Sequence, residues 1–135
     1  MPNKLKLMVV DDEQDNLDLL YRTFRREFKV YKASNPLQAL EILDKEGEMA
    51  VMISDQSMPD MTGIQLFDKT TEQFPNTKCI LLTGYSEEAL DDEAEGTRQN
   101  MVFKCIMKPF APDELKAVVQ QATDIYKTTM GSDAD

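Results

Sequence analysis

Short apolar runs, each closed by a polar residue, alternate along this chain with stretches of helical periodicity. Leu5–Val10 leads into Asp11-Asp12, Met49–Ser54 into Asp55, Cys79–Leu82 into Thr83, and Met101–Met107 into Lys108. A strand that is apolar nearly throughout must be covered on both faces, and strands alternating with helices pair in parallel through right-handed crossovers. The expected architecture is an α/β fold with a doubly wound five-stranded parallel sheet, strand order 2-1-3-4-5, and five helices in a three-layer sandwich. Such sheets bind ligands beyond the carboxyl ends of their strands, where the strand order reverses. That point falls between the first and third strands, so three carboxylates, a hydroxyl and an ammonium are expected to share one edge.

Composition narrows the function. The chain has 135 residues, 41% of them apolar, enough for one domain with its own core. No apolar run approaches the length of a membrane span, and the start of the chain lacks a signal-peptide pattern, so a cytoplasmic protein is expected. There is no histidine, which excludes Ser-His-Asp and Cys-His catalysis and a phosphohistidine carrier role for this chain. A net charge of −10 argues against direct nucleic-acid binding and favours a protein partner or a cation. Cys79 and Cys105 fall in strands without a CxxC spacing and read as small buried hydrophobes.

The helical stretches follow from spacing and caps. Leu17, Leu20, Tyr21, Phe24 and Phe28 predict a helix from about Gln14 to Arg26, and Lys29–Ala33 a short strand near an edge. Asn35-Pro36-Leu37-Gln38 announces a helix capped by Asn35, with Gln38 reaching back and Leu37, Leu40 and Leu43 buried. Thr62-Gly63-Ile64-Gln65 reads as a capping box, followed by a helix that buries Ile64, Phe67 and Phe74. Ser86 is expected to cap a helix through Glu87–Glu95 that is poor in apolar residues and therefore loosely held. A last helix opens at Ala111-Pro112 and packs through Leu115, Val118, Val119, Ala122 and Tyr126. Residues 1–128 read as one domain and 129–135 as a flexible tail or the start of a linker.

The strand-end residues suit a hard cation and a phosphoryl group. Mg²⁺, with Mn²⁺ as the alternative, prefers oxygen ligands in octahedral geometry. Asp12 and Asp55 are candidates for direct ligands, Asp11 for a ligand through water, and a loop carbonyl completes the protein share. A divalent ion plus Lys108 balances three carboxylates, leaving Asp55 tolerable as a nucleophile toward a phosphoryl dianion. Thr83 and Lys108 then meet the phosphoryl oxygens, one as hydroxyl donor and one as point charge. Each residue also has a plain structural reading: an Asp after a strand caps a helix, Thr83-Gly84 forms a turn, Lys108 is a solvated strand end. Co-occurrence at successive strand ends favours the chemical reading.

Four segments carry a resemblance: Val9-Val10-Asp11-Asp12-Glu13, Ile53–Gly63, Leu81-Leu82-Thr83-Gly84-Tyr85 and Lys108-Pro109-Phe110. In this order and spacing the chain resembles the receiver domain of two-component response regulators over about residues 5 to 126. The resemblance implies that Asp55 accepts phosphate from a histidine kinase or histidine phosphotransfer protein. It also implies a Mg²⁺ site of Asp11, Asp12, Asp55 and the Ser57 carbonyl, a switch at Thr83 and Lys108, and a cis Lys108-Pro109 bond. A receiver catalyses phosphotransfer onto and hydrolysis from its own aspartate and is otherwise not an enzyme. It signals to a downstream protein or an attached output domain, with a phosphorylation-dependent dimer left open. Two positions depart from the family: Cys105 stands where Tyr or Phe is usual, and Ala111 where a polar cap is usual. Tyr85 is a candidate gate to Asp55. A phosphorylation-independent pseudo-receiver is the alternative, which Cys105 permits. A phosphohydrolase built on an aspartyl-phosphate would want an Asp where Ser57 stands.

Overall fold

In the computed structural model, residues 4–84 and 102–129 are described. Five strands, β1 (Leu5–Val10), β2 (Phe28–Ala33), β3 (Val51–Asp55), β4 (Lys78–Thr83) and β5 (Val102–Met107), form one parallel sheet in the order β2-β1-β3-β4-β5. The helices among the described residues are α1 (Gln14–Phe24), α2 (Pro36–Glu46), α3 (Gly63–Gln73) and α4 (Pro112–Thr129). These are four rather than five, because the helix expected after Ser86 lies outside the described residues, as does Tyr85.

Side-chain alternation along the strands sends successive residues to opposite faces and so builds two cores. Leu7, Val9, Val51 and Ile53 pack with α1 and α4, through Leu17, Leu20, Phe24, Leu115 and Val119. Met8, Val10, Met52 and Leu81 pack with α2 and α3, through Ala39, Leu43, Leu66 and Phe67. Burying both faces of the central strands explains their unbroken apolar runs. β5, at the edge, buries only Ile106 fully, and a register irregularity between Cys79 and Ile80 precedes its main pairing with β4.

Local signals place most boundaries. The Asn35 side chain accepts from the Gln38 N–H at 2.8 Å, with Pro36 at the first helical turn. Gln38 Oε1 reaches past the cap to the Ser34 N–H at 2.6 Å. α2 ends at Gly47, whose φ of 84° lies in a region where a side chain would be strained. The Thr62–Gln65 capping box is formed in both directions, at 3.1 and 2.9 Å.

Two expectations are corrected. Phe28 does not continue the α1 stripe: the helix stops at Phe24, and Phe28 opens β2, its ring 6.0 Å from Phe24 edge to face. Leu37 is 68% exposed, because α2 turns Pro36, Ala39 and Leu43 inward and leaves Leu37 over solvent. α4 runs to Thr129, one residue past the expected domain end.

Candidate functional site

The parallel ladder delivers the site residues to one edge because each is the last residue of a strand or one of the first two beyond it. Asp11 follows β1 and extends the ladder, its N–H donating to the Ala33 carbonyl at 3.1 Å. Its carboxylate is wholly buried and held from both sides: Oδ1 accepts the Glu13 N–H at 2.9 Å and Oδ2 accepts Asn16 Nδ2 at 3.2 Å. Those bonds fix the start of α1 as an Asp-led turn does. Asp12, next along the chain, faces solvent.

Asp55 ends β3 and is 5% exposed. Ser54 Oγ donates to its carbonyl oxygen at 2.9 Å, and the Gln56 N–H continues the ladder to the Leu82 carbonyl at 2.9 Å. Thr83 ends β4 and is buried, and its carbonyl receives the Lys108 N–H at 2.8 Å. The peptide between Lys108 and Pro109 is cis. Lys108 Nζ stands 2.9 Å from Asp55 Oδ1 and 3.6 Å from Asp11 Oδ2, so one ammonium bridges the two buried carboxylates.

The electrostatics follow from burial against pairing. Burial raises the Asp11 carboxyl above its ordinary range, and the Glu13 N–H, the Lys108 charge and Asn16 offset part of that rise. For Lys108, burial pulls the ammonium down. The Asp55 hydrogen bond and the charges of Asp11, Asp55 and Glu13 together outweigh it, so the lysine lies above its usual value and carries its proton.

Asp11, Asp12 and Asp55 each offer a carboxylate oxygen, all within 4.8 Å of one another. Octahedral Mg²⁺ at about 2.1 Å from its ligands places them about 3 Å apart when adjacent and about 4.2 Å apart when opposite. The donor set is all oxygen, and with Asp11 held through a bridging water only Asp12 and Asp55 must close to ligand spacing, so these residues fit Mg²⁺. Three carboxylates beside one ammonium leave two negative charges, which a divalent cation balances.

The loop after Asp55 is pinned at several points. Gln56 is 2% exposed and its Oε1 accepts the Ile64 N–H at 3.0 Å, closing the first turn of α3 from inside. The Gln56 carbonyl receives the Gly63 N–H at 3.1 Å. At Gly63 a Cβ would stand 2.6 Å from the Asp55 carbonyl oxygen, so only glycine lets α3 pack this close to the strand end. Asp60 takes a positive φ of 75°, which aspartate tolerates better than most residues. Ser57, in this loop, is exposed. Cys105 is half-buried in β5, opposite Leu81, against the core on the α2–α3 side.

The structure thus brings Asp11, Asp55 and Lys108 into direct contact, with Asp12 beside them and Thr83 on the neighbouring strand end. Two residues of this region escaped sequence reasoning. Asn16 carried a usable signal, an amide one helical turn beyond a strand-end acid. Gln56 carried none, because only the tertiary packing turns its side chain inward.

Comparison with known proteins agrees with this geometry. The family model of the response regulator receiver domain matches residues 7–120. The hydrogenase transcriptional regulatory protein HoxA of Cupriavidus necator is 32% identical over 118 residues, covering 87% of this chain and 24% of that protein. This chain therefore spans about a quarter of the length of the HoxA proteins it matches. Sporulation initiation phosphotransferase F of Bacillus subtilis is 30% identical over 117 residues, covering 86% of this chain and 91% of that protein. A receiver-domain crystal structure from Clostridium thermocellum superposes with a TM-score of 0.81 at 24% identity, covering 93% of this chain and 98% of its own. The signal receiver domain of an HD domain-containing protein from Pseudomonas fluorescens gives 0.84 at 25% identity, with 93% and 99% covered. The match over residues 7–120, on a 2-1-3-4-5 sheet with its acids at the carboxyl edge, makes this chain a member of the response regulator receiver domain family.

Proposed function

We propose that Asp55 is the phosphoacceptor of a signalling switch, charged by the phosphohistidine of a histidine kinase or a histidine phosphotransfer protein in a Mg²⁺-dependent reaction. The observation that carries this reading is the placement of Lys108 Nζ, 2.9 Å from Asp55 Oδ1, beside a three-carboxylate cluster that fits a divalent cation. Asp11, Asp12, Asp55 and the Ser57 carbonyl would hold the ion, which when bound neutralises charge shared by Asp55 and the incoming phosphoryl oxygens. An Asp55 carboxylate oxygen forms the new P–O bond as the P–N bond of the donor breaks and its electron pair leaves with the imidazole. Lys108 moves its ion pair from the carboxylate to a phosphoryl oxygen, and the Thr83 hydroxyl donates to another. Such movement shifts the β4 and β5 ends toward Asp55 and alters the surface read by a downstream protein. Beyond this self-modification the chain is not an enzyme. Its working compartment is the cytoplasm; among the described residues no helix is long and apolar enough to cross a membrane.

The partner arrangement has two precedents among relatives. In HoxA the matching segment is about a quarter of a transcriptional regulatory protein, whereas the sporulation phosphotransferase matches over nearly its whole length. Either an attached output domain or a separate protein would read the switch, and phosphorylation-dependent pairing of two receivers belongs to the same reading.

The test is intact mass after incubation with acetyl phosphate, with and without Mg²⁺, for wild type and Asp55→Asn. The expected result is one added phosphoryl group that requires Mg²⁺ and is absent from the variant. If wild type takes up no phosphoryl group and also fails to bind beryllofluoride with Mg²⁺, the chain is a phosphorylation-independent interaction module. Tyr85→Ala tests the gate, which requires a phosphate lifetime different from wild type.

A further inference from the structure

At the amino ends of β1 and β2, opposite the Asp55 edge, lies a cleft of about 660 Å³ lined by Lys4, Lys6, Arg25 and Lys29 together with Tyr21 and Phe28. A second cleft, of about 420 Å³, shares Arg25 and adds Arg22, Arg26 and Lys116, with Glu27 its one carboxylate. Seven of the chain's fifteen lysines and arginines are gathered here, on a protein whose net charge is −10.

Two of the seven have structural work. Lys4 Nζ donates to the Arg25 carbonyl at 3.2 Å, and Lys6 Nζ to the Glu46 carbonyl, so they close the ends of α1 and α2. Arg22, Arg25 and Arg26 stand at the carboxyl end of α1, where positive charge modestly complements the helix dipole. That role asks for fewer than the three arginines present and leaves Lys29 and Lys116 aside. None of these five joins an ion pair among the described residues, and Lys29 rests only over the ring of Tyr31, 5.6 Å from its centroid. Lys6 and Lys29 are also direct neighbours in the β1–β2 register, an arrangement of like charges that opposes pairing. The fold thus keeps a local positive field larger than the end of one helix calls for.

We propose that the two clefts form one docking surface for a short acidic segment of a partner protein. Arginine side chains take carboxylates through paired N–H donors, and three lie within this surface, at Arg22, Arg25 and Arg26. Tyr21, Phe28 and Val30 line the first cleft and give the segment an apolar floor. Two clefts joined at Arg25 extend beyond what a single phosphate group would span. A long nucleic acid would leave the cleft and meet the acidic remainder of the molecule, whereas a short acidic peptide stays within roughly one Debye length of the basic groups. The surface is independent of the phosphoacceptor reading.

The test is fluorescence anisotropy with a labelled oligo-glutamate peptide at low ionic strength, using the intact chain. Saturable binding is expected for wild type. The Arg25→Glu/Lys29→Glu pair should weaken it at least about tenfold, as should the charge-neutral Arg25→Gln/Lys29→Gln pair to a lesser degree. Reversal of two exposed lysines elsewhere, Lys45→Glu/Lys69→Glu, should leave it within about twofold, and 1 M salt should abolish it. Absence of saturable binding by wild type, or equal loss in the Lys45/Lys69 control, overturns the proposal. Tighter binding of a charge-matched single-stranded oligonucleotide overturns it in favour of nucleic acid, and displacement by inorganic pyrophosphate in favour of a small phosphorylated ligand. Circular dichroism and the urea denaturation midpoint verify that each variant is folded.

Discussion

The two ends of the sheet handle charge in opposite ways. At the carboxyl end Asp11 and Asp55 are almost sealed from solvent, and one ammonium holds both. At the amino end a larger set of basic groups stands in open clefts and joins no ion pair among the described residues. Burying a charge is expensive unless it is paired, so the first arrangement survives only with fixed geometry, while exposed charges are screened and can stay unpaired. Substitutions should therefore be costly at the carboxyl end and mild at the amino end, unless a partner is present.

The sharpest way to break this contrast is Gly63→Ala, which adds a single methyl group. Its Cβ would stand 2.6 Å from the Asp55 carbonyl oxygen and 2.7 Å from Leu81 Cδ1. The leucine can rotate away but the strand backbone cannot, so α3 must lift from the site. A loss of about 1–3 kcal/mol in urea denaturation is expected, together with slower phosphoryl uptake at Asp55. Wild-type stability and uptake in this variant would show that the carboxyl edge is not closely constrained.

Lys108→Met should rank next. It removes the ammonium between two buried carboxylates while keeping most of the side-chain volume. Charged hydrogen bonds of this kind contribute about 1.5–3 kcal/mol, at the low end here because Lys108 is a quarter exposed. Mg²⁺ should recover part of the lost stability by supplying the missing positive charge, read as a larger rise in Tm on adding Mg²⁺ than wild type shows.

The amino end offers the smallest effect and a pH signature. Tyr126 Oη donates to Glu48 Oε1 at 2.7 Å, tying α4 to the segment before β3. Burial raises the Tyr126 phenol well above its ordinary value near 10, and the Glu48 hydrogen bond and charge raise it further. Because the folded state holds this proton to higher pH than the unfolded chain does, the contribution is complete below about pH 10 and is lost as pH rises toward the folded value. Tyr126→Phe should cost about 1 kcal/mol at neutral pH. The gap between variant and wild type should close above pH 10, measured as denaturation midpoints across that range.

The corrections show where sequence reasoning reached and where it stopped. The central strands were readable because burial on both faces leaves an unbroken apolar run that nothing else in a soluble domain requires. Asn35 and Thr62 were readable because a cap is a local hydrogen bond made within a few residues. Phe28 and Leu37 were misplaced for a shared reason. Periodicity states that an apolar residue lies on a stripe, but not where the helix ends or which part of the stripe has a neighbour to cover it. Of the candidate site, Asp11, Asp12, Asp55, Thr83 and Lys108 were visible as strand ends, whereas Gln56 and the three-way contact around Lys108 were not.

Sequence alone determined the layered parallel sheet and the convergence of its polar ends, because alternation and strand-end position are properties of the chain taken in order. Only the tertiary structure decided that Asp11 is sealed while Asp12 faces water, and that Lys108 reaches both buried acids. It alone gathered Lys4, Arg25 and Lys116, distant in sequence, into one positive surface. The physical reason is common to all three. Burial and Coulombic pairing depend on distance through space, and residues far apart in the chain acquire that distance only when the helices close over the sheet.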